Sequence, residues 1–402
     1  VEDLLLLIHR IPYPPNKGDK IRSYHLLKHL AKHYRVHLAT FVDDPDDWQY
    51  VPHVEALCAS SHFARMNPLA ARVKSLAALL KNRSLSLEYY RDAGLARWVK
   101  STVAAHGIER VLVFSSAMAQ YADPYRQARR VVDFVDVDSD KWRQYADKKS
   151  WPMSWLYGYE AARLLDYERQ VARDYDASLF VSAPEAALFR QLAPESGAKI
   201  GHFSNGVDTD YFSPEAEAGH ANPYQAGERA LVFTGAMDYW PNVDAVQWFC
   251  DQVFPVLRER FPELRFYIVG SRPNAQVQAL AQRPGVTVTG TVPDVRPYIA
   301  HAAVAVAPLR IARGIQNKVL EAMAMARAVV VSPQALEGID AEPGSELVLA
   351  EDAPAFIEAV DALLASQDGA RETIGQAARA KVQRRYSWSS NLACIGENLE
   401  CC

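Results

Sequence analysis

The chain consists of two successive sets of short apolar runs, each run followed by helix-patterned sequence. This alternation restricts the fold more than any other feature. In the first set LLLLIH (4–9) leads through a loop to the helix-like IRSYHLLKHLAKHY and the strand-like VHLATFV. RVLVFSS (110–116), RRVVDFVDV (129–137) and ASLFVS (177–182) follow. In the second set ALVFTG (230–235) precedes the helical DAVQWFCDQVFPVLRERF. LRFYIVG (264–270), VTVTG (286–290), AVAVAPL (303–309), AVVVS (328–332), ELVLA (346–350) and the helical DAPAFIEAVDALLAS complete it. Apolar strands that alternate with amphipathic helices belong to parallel sheets covered on both faces. Two such sets predict an α/β chain of two doubly wound domains, and 402 residues are enough for each to bury a core. The polar, Pro- and Gly-bearing stretch SPEAEAGHANPYQAGER (213–229) reads as the linker.

Charge and cysteine content exclude several classes. The net charge is -4, but residues 1–210 hold 28 Lys and Arg against 26 Asp and Glu, and the remainder 16 against 22. Residues 65–100 alone carry eight basic and two acidic side chains. No long run of like charge and no Arg/aromatic weave is present, so nucleic acid is not an expected partner. Cys58, Cys250, Cys394, Cys401 and Cys402 form no CxxC pair and no Cys/His metal spacing, which reads as reduced thiols in the cytoplasm. LLLLI (4–8) is too short for a signal peptide or a membrane span and is expected to be a strand.

In open parallel sheets ligands bind beyond the carboxyl ends of the strands, so the polar residues that follow each strand are the candidates. In RIPYPPNKGDKIRS (10–23), Gly18 and Asp19 could turn the chain tightly before a helix whose start faces an anion; a plain βα turn is the alternative. There is no GxGxxG and no P-loop. In DFVDVDSDKW (133–142), Asp136 and Asp138 fall near a strand end, where carboxylates could orient a nucleophile or accept its proton. Asp138 and Asp140 could instead cap the following helix, which is the better reading for Asp140. Gly235 lets a ligand approach the backbone after the second set's first strand, and Asn242 or Asp244 could cap the helix there. After AVAVAPL comes RIARGIQNKVLEAMA, where Asn317 is placed near an N-cap, with Lys318 and Glu321 in the first turn and Leu320, Met323 and Ala324 on the buried face. A helix start with a lysine suits a phosphate, and a carboxylate can grip two adjacent hydroxyls.

FSNGVDTDYFSP (203–214) resembles the NGVD-x-x-x-F-x-P signature of retaining glycosyltransferases of family 4, which have the GT-B fold of two Rossmann-like domains. FTGAMDYWPN (233–242), YIVG (267–270), VTGTVPDVRPYIAHAAVAVAP (288–308) and NKVLEAMAMARAVVVS (317–332) follow in the family's order. YPPNKGDKIRSYHLLKHL and DFVDVDSDKWRQYA resemble more particularly the sugar transferases associated with PEP-CTERM/exosortase exopolysaccharide systems. The resemblance implies an acceptor-binding domain over 1–210, completed by a C-terminal helix over 385–402. It implies a nucleotide-sugar-binding domain over 211–384.

The same resemblance implies a retaining transfer of sugar from a nucleotide-sugar to a glycan or polyprenyl-linked acceptor, with no cofactor and no metal. Glu321 matches the second Glu of the family's E-x7-E motif, which binds the nucleotide ribose; the first Glu is replaced by Arg313. Lys318 would take the phosphate, Gly314, Ile315, Gln316 and Asn317 would line the donor sugar, and Asp136 would orient the acceptor hydroxyl in place of the family's His. Closing of the two domains would exclude water. The basic segment 65–100 could lie on an anionic membrane, placing the protein peripherally on the inner face of an inner membrane. Two alternatives share the fold: a nucleotide-sugar epimerase or sugar-phosphate synthase, and a non-catalytic nucleotide-binding protein, the latter prompted by Arg313 and the absent His.

Overall fold

The structure, a computed structural model, describes residues 2–15, 18–147, 149–215, 221–312, 315–366 and 369–400. The chain divides into two compact units: Val1–Asn205 with Asn391–Cys402, and Gly206–Ser390. The first holds strands β1 (Asp3–Ile8), β2 (Arg35–Val42), β3 (Ser60–Arg65), β4 (Arg110–Phe114), β5 (Arg129–Val135), β6 (Ala177–Phe180) and β7 (Ile200–His202). They form a seven-stranded sheet in the order β3-β2-β1-β4-β5-β6-β7, parallel throughout. The second holds β8 (Arg229–Thr234), β9 (Leu264–Val269), β10 (Val286–Gly290), β11 (Val304–Ala307), β12 (Val329–Val331) and β13 (Val348–Leu349). These form a six-stranded parallel sheet in the order β10-β9-β8-β11-β12-β13.

Both orders reverse beside the first strand of their sheet, between β1 and β4 and between β8 and β11. Right-handed crossovers then place helices on opposite faces on either side of the reversal and leave a crevice at the strands' carboxyl ends. The strands are apolar because both faces are covered: Leu4 to Ile8 are fully buried, as are Val111 to Phe114. The apolar runs quoted from the sequence all became strands. β3 and β7 lacked that signal for local reasons: SSHFAR is polar and mostly half-buried, and β7 is only three residues long.

One buried ion pair organises the first unit. Arg22, on the helix Gly18–Leu30, meets Asp133 of β5 with two hydrogen bonds of 2.8 and 3.1 Å, and both side chains are 0% exposed. Arg22 also donates to the Phe203 carbonyl and to Asn205 Oδ1, and it lies 3.6 Å over the Phe203 ring. Three separate parts of the chain are thereby tied to one guanidinium. Asp133→Ala would leave that charge buried without its counter-ion, and we expect a loss of about 3–5 kcal/mol in urea denaturation.

Candidate functional site

At the carboxyl ends of β8 and β9 the second unit has a cavity of about 520 Å³, lined by Gly235, Gly270, Gln316, Lys318 and Glu321 among others. Two glycines make the backbone wall. A Cβ on Gly270 would stand 1.6 Å from the Gly235 carbonyl oxygen, and φ at the two residues is 157° and 154°. Only glycine lets these two strand ends lie against each other and leaves room beside them. A Cβ on Gly235 would in turn press on Asn242 and approach Lys318 Cε.

The helix Asn317–Ala324 opens onto this cavity and buries Val319, Leu320, Met323 and Ala324. Its N-cap is Gln316, one residue before the expected Asn317, and the Gln316 side chain makes no capping hydrogen bond; Asn317 is the first helical residue and lines the cavity. Uncapped N–H groups at a helix start are donors for an anion. Lys318 Nζ donates to Asn242 Oδ1 at 2.9 Å, and Asn242 Nδ2 donates to the Ala236 carbonyl at 2.9 Å. Asn242 is therefore not a helix cap; its amide aims the lysine. The helix Trp240–Gln252 has Tyr239 at its N-cap, and Asp244 pairs with Arg310. Lys318 also sits 5.2 Å from the Phe233 ring centre.

Burial lowers the Lys318 pKa to about 8, with the Glu321 charge opposing, and raises Glu321 to about 7, with the Lys318 charge opposing. Both groups keep a fraction of their surface open to the cavity. The site thus presents a cation and helix N–H groups at one point and a carboxylate one turn further on. That set can hold a diphosphate and an adjacent pair of hydroxyls. Ile315 lines the same cavity. Arg313 and Gly314 lie outside the described residues.

The first unit has its own cavity, about 310 Å³, at the carboxyl ends of β1, β4 and β5. Asp19, Asp136 and Asp138 line it, with Lys141 at 2.7 Å from Asp136 and 3.2 Å from Asp138. Burial raises Asp138 despite Lys141, whereas Lys141, opposed by its own burial, is raised well above the usual lysine range by both carboxylates. Burial would raise Asp19 too, but the hydrogen bond and charge of His9 and the charge of Arg10 hold it well below the ordinary carboxylate range. Phe114, Phe134, Trp142 and Tyr145 add aromatic walls. Gly18 stands apart from this lining. It is the exposed first residue of its helix, with nothing within 4 Å of a Cβ there, so no tight turn demands glycine. Asp140 is not a cap either; it accepts from Arg143 and Gln144.

The backbone is strained at this second cavity. Ser115 and Val135, which follow or end adjacent strands, take φ of 79° and 70°. A β-branched residue is rarely held there, and such strain gathers at functional sites. Sequence reasoning missed His9, Lys141 and Asn242. His9 is a polar residue just after a strand, the signal that selected Asp136, whereas Lys141 lies a turn into the following helix. Asn242 looked like a cap because its partner Lys318 is 76 residues away. Among the described residues one cluster, Asp3, His37 and His106, has metal-ligand side chains in reach of one another. It lies toward the amino ends of the strands, away from both cavities. Its members are already engaged: His37 with Asp3 and with Ser60 at 2.7 Å each, and His106 stacked on His37.

Residues 228–366 match the family model described as Glycosyl transferases group 1. No curated protein matches the chain. Sucrose-phosphate synthase from Thermosynechococcus elongatus has a similar structure, with a TM-score of 0.65 at 19% identity, covering 99% of this chain and 98% of that one. A glycosyltransferase from Rickettsia africae gives 0.64 at 14%, covering 100% and 99%. Anabaena HepE in complex with UDP gives 0.62 at 14%, covering 99% of each chain. The fold is therefore GT-B, and its second unit carries a group 1 glycosyl transferase domain.

The Lys318–Glu321 pair should register in stability. Glu321 has a folded pKa raised above the unfolded value, so the folded state binds the proton more tightly. Its contribution is full below about pH 4.5 and is lost as pH rises through about 7. Lys318 has the opposite balance: the unfolded chain holds more protons between about pH 8 and 10.5, so stability rises with pH there. Glu321→Gln should flatten the loss between pH 5 and 7.5 in denaturant titrations and leave the alkaline limb in place.

Proposed function

We propose that the chain is a retaining glycosyltransferase of family 4, moving a sugar from a nucleotide-sugar to a hydroxyl of a glycan or lipid-linked acceptor. One observation carries this reading: a lysine at an uncapped helix start shares a cavity with a carboxylate one turn later. The anomeric C–O bond to the diphosphate breaks and the electron pair leaves with the nucleoside diphosphate, while the acceptor oxygen forms the new bond on the same face and its proton passes to the departing phosphate oxygen. Lys318 and the helix N–H groups meet the charge that develops on the departing phosphate, a differential stabilisation of the transition state. Glu321 holds the ribose hydroxyls. A uridine nucleotide is the first donor to test, because HepE is similar in fold and was solved with UDP.

We assign the acceptor to the first unit's cavity, with Asp136 orienting the attacking hydroxyl. The cations at this pocket are already held by carboxylates, Lys141 by Asp136 and Asp138 and Arg10 by Asp19 and Asp43, so it disfavours a phosphate and suits a polyhydroxyl ring against aromatic walls. That balance favours an unphosphorylated glycan over the sugar-phosphate synthase alternative. The sequence details shared with PEP-CTERM/exosortase-associated transferases point to exopolysaccharide synthesis as the setting. The two-residue chemistry at Lys318 and Glu321 leaves the transfer itself with no requirement for a metal.

A thermal-shift panel of UDP-, GDP-, ADP- and dTDP-sugars should single out one nucleotide, and Glu321→Ala should abolish that shift. With the matching donor, Lys318→Ala should lower turnover by about 10²–10³-fold, with a much smaller effect on nucleotide affinity. An unchanged rate would remove Lys318 from the mechanism. Isomerised nucleotide-sugar without any acceptor would point to the epimerase.

A further inference from the structure

The helices Pro68–Ser75 and Ala77–Leu80 are turned inside out relative to an ordinary surface helix. Small residues face the protein: Ala71 and Ser75 are each 7% exposed and Ala78 is fully buried. The large ones face solvent, with Leu69 at 70%, Val73 at 72%, Leu76 at 48% and Leu80 at 92%. These four stand at i, i+4, i+7 and i+11, a continuous helical stripe that a helix packed on its own domain would bury. A second segment adds Trp151, Met153 and Trp155, exposed at 80%, 39% and 56%. Among the described residues of the first unit eight large hydrophobic side chains are exposed and seven belong to these two segments, so the clustering is not scattered surface leucine.

The fold holds the two segments together. Tyr159 Oη, one turn beyond Trp155, donates to the Arg83 carbonyl at 3.2 Å and lies 3.5 Å from the Ala78 carbonyl. Trp155 and Tyr159 have ring centres 5.9 Å apart. The buried Glu160 accepts from Ser84 Oγ at 2.7 Å and from the backbone N–H of Leu85 and Ser86. That carboxylate pins the end of the apolar stripe to the long helix Met153–Asp174. The flanks are basic. Arg65, Arg72, Lys74, Lys81, Arg83 and Lys149 are exposed, and from Arg65 to Arg91 the only acidic side chain is Glu88, which is buried. Glu88 shares its charge among Lys81, Arg83 and Arg91, leaving the patch net positive.

From this we infer that the Leu69–Leu80 stripe and the Trp151–Trp155 segment form one surface that docks on an anionic lipid bilayer. Aliphatic side chains projecting together, tryptophans beside them and a lysine and arginine border match the layering of a lipid interface: acyl chains, the headgroup boundary, and the anionic surface. An anionic bilayer meets the apolar stripe and the basic border at once. Among the described residues no helix is long and apolar enough to cross a membrane, so the contact is one of lying on the surface. The helix that carries Trp155 also reaches the first unit's cavity, which its Leu164 lines together with Ser86, whose N–H Glu160 holds. A lipid-linked acceptor would reach that cavity from the bilayer, but the docking surface stands on its own geometry and does not rest on the transferase reading.

Flotation on phosphatidylcholine vesicles containing about a third phosphatidylglycerol tests it without any sugar substrate. The full chain should float at low ionic strength. Pure phosphatidylcholine and about 0.5 M salt should each lower the bound fraction severalfold. The double variant Val73→Glu/Leu80→Glu should lose at least about tenfold, with an unchanged melting temperature because both side chains are exposed. Trp155 should shift its emission to the blue on vesicles, and Trp155→Ala should lose that part of the signal. No flotation on anionic vesicles, or equal flotation of the double variant, overturns the proposal. So does a dimer in light scattering that the same variant dissolves, which would give the face to a second copy of the chain.

Discussion

Both sheets are parallel and covered on both faces, and the rest of the protein follows from that constraint. A strand with no solvent face has nowhere to put a polar side chain except at its ends, unless the side chain is paired. Functional groups therefore gather beyond the carboxyl ends, where the strand order reverses and the crossovers part. Asp133 is the instructive exception. It lies within a buried strand, and the structure tolerates it only because Arg22 meets it with two hydrogen bonds. That pair also holds the last part of β5, from which Val135 and Asp136 turn toward the cavity.

The two cavities occupy equivalent places and are made differently. In the second unit the strand ends carry Gly235 and Gly270, and the missing side chains create the space where a ligand could lie against the backbone. In the first unit the chain uses Ser115 and Val135 with positive φ, so the turn is held by its surroundings at some cost in strain. The charge balance differs as well. Lys318 and Glu321 stand as one cation and one carboxylate, each shifted by burial toward neutrality. At the first unit's cavity Lys141 is held by Asp136 and Asp138, and Asp19 by His9 and Arg10. A diphosphate suits the first arrangement and a polyol the second.

Legibility in the sequence followed the strength of the local signal. The strands buried on both faces were readable because they are continuous apolar runs, whereas the polar β3 and the three-residue β7 were not. That Lys318 and Glu321 share one helical turn and one cavity was readable because their spacing along the helix fixes it. The start of that helix was misplaced by one residue, since neither Gln316 nor Asn317 caps it with a side chain. Asn242 was misread as a cap: a first-turn asparagine offers two roles, and only the position of Lys318 decides between them. The basic stretch around residues 65–100 was noticed for its charge, but its outward leucines could not be told from inward ones by spacing alone.

By itself, then, the sequence determined the α/β class, two Rossmann-like sheets and the lysine–carboxylate turn, because each is a pattern within a few neighbouring residues. The tertiary structure decided what depends on residues far apart in the chain. Asn242 orients Lys318 across 76 residues, Arg22 reaches Asp133 across 111, and the Tyr159 and Glu160 contacts tie the helix that carries Trp155 to Arg83 and Ser84. The face on which a helical stripe lies is set by what the opposite face packs against. Ala71, Ser75 and Ala78 pack inward here, and that contact turned the leucines to the outside.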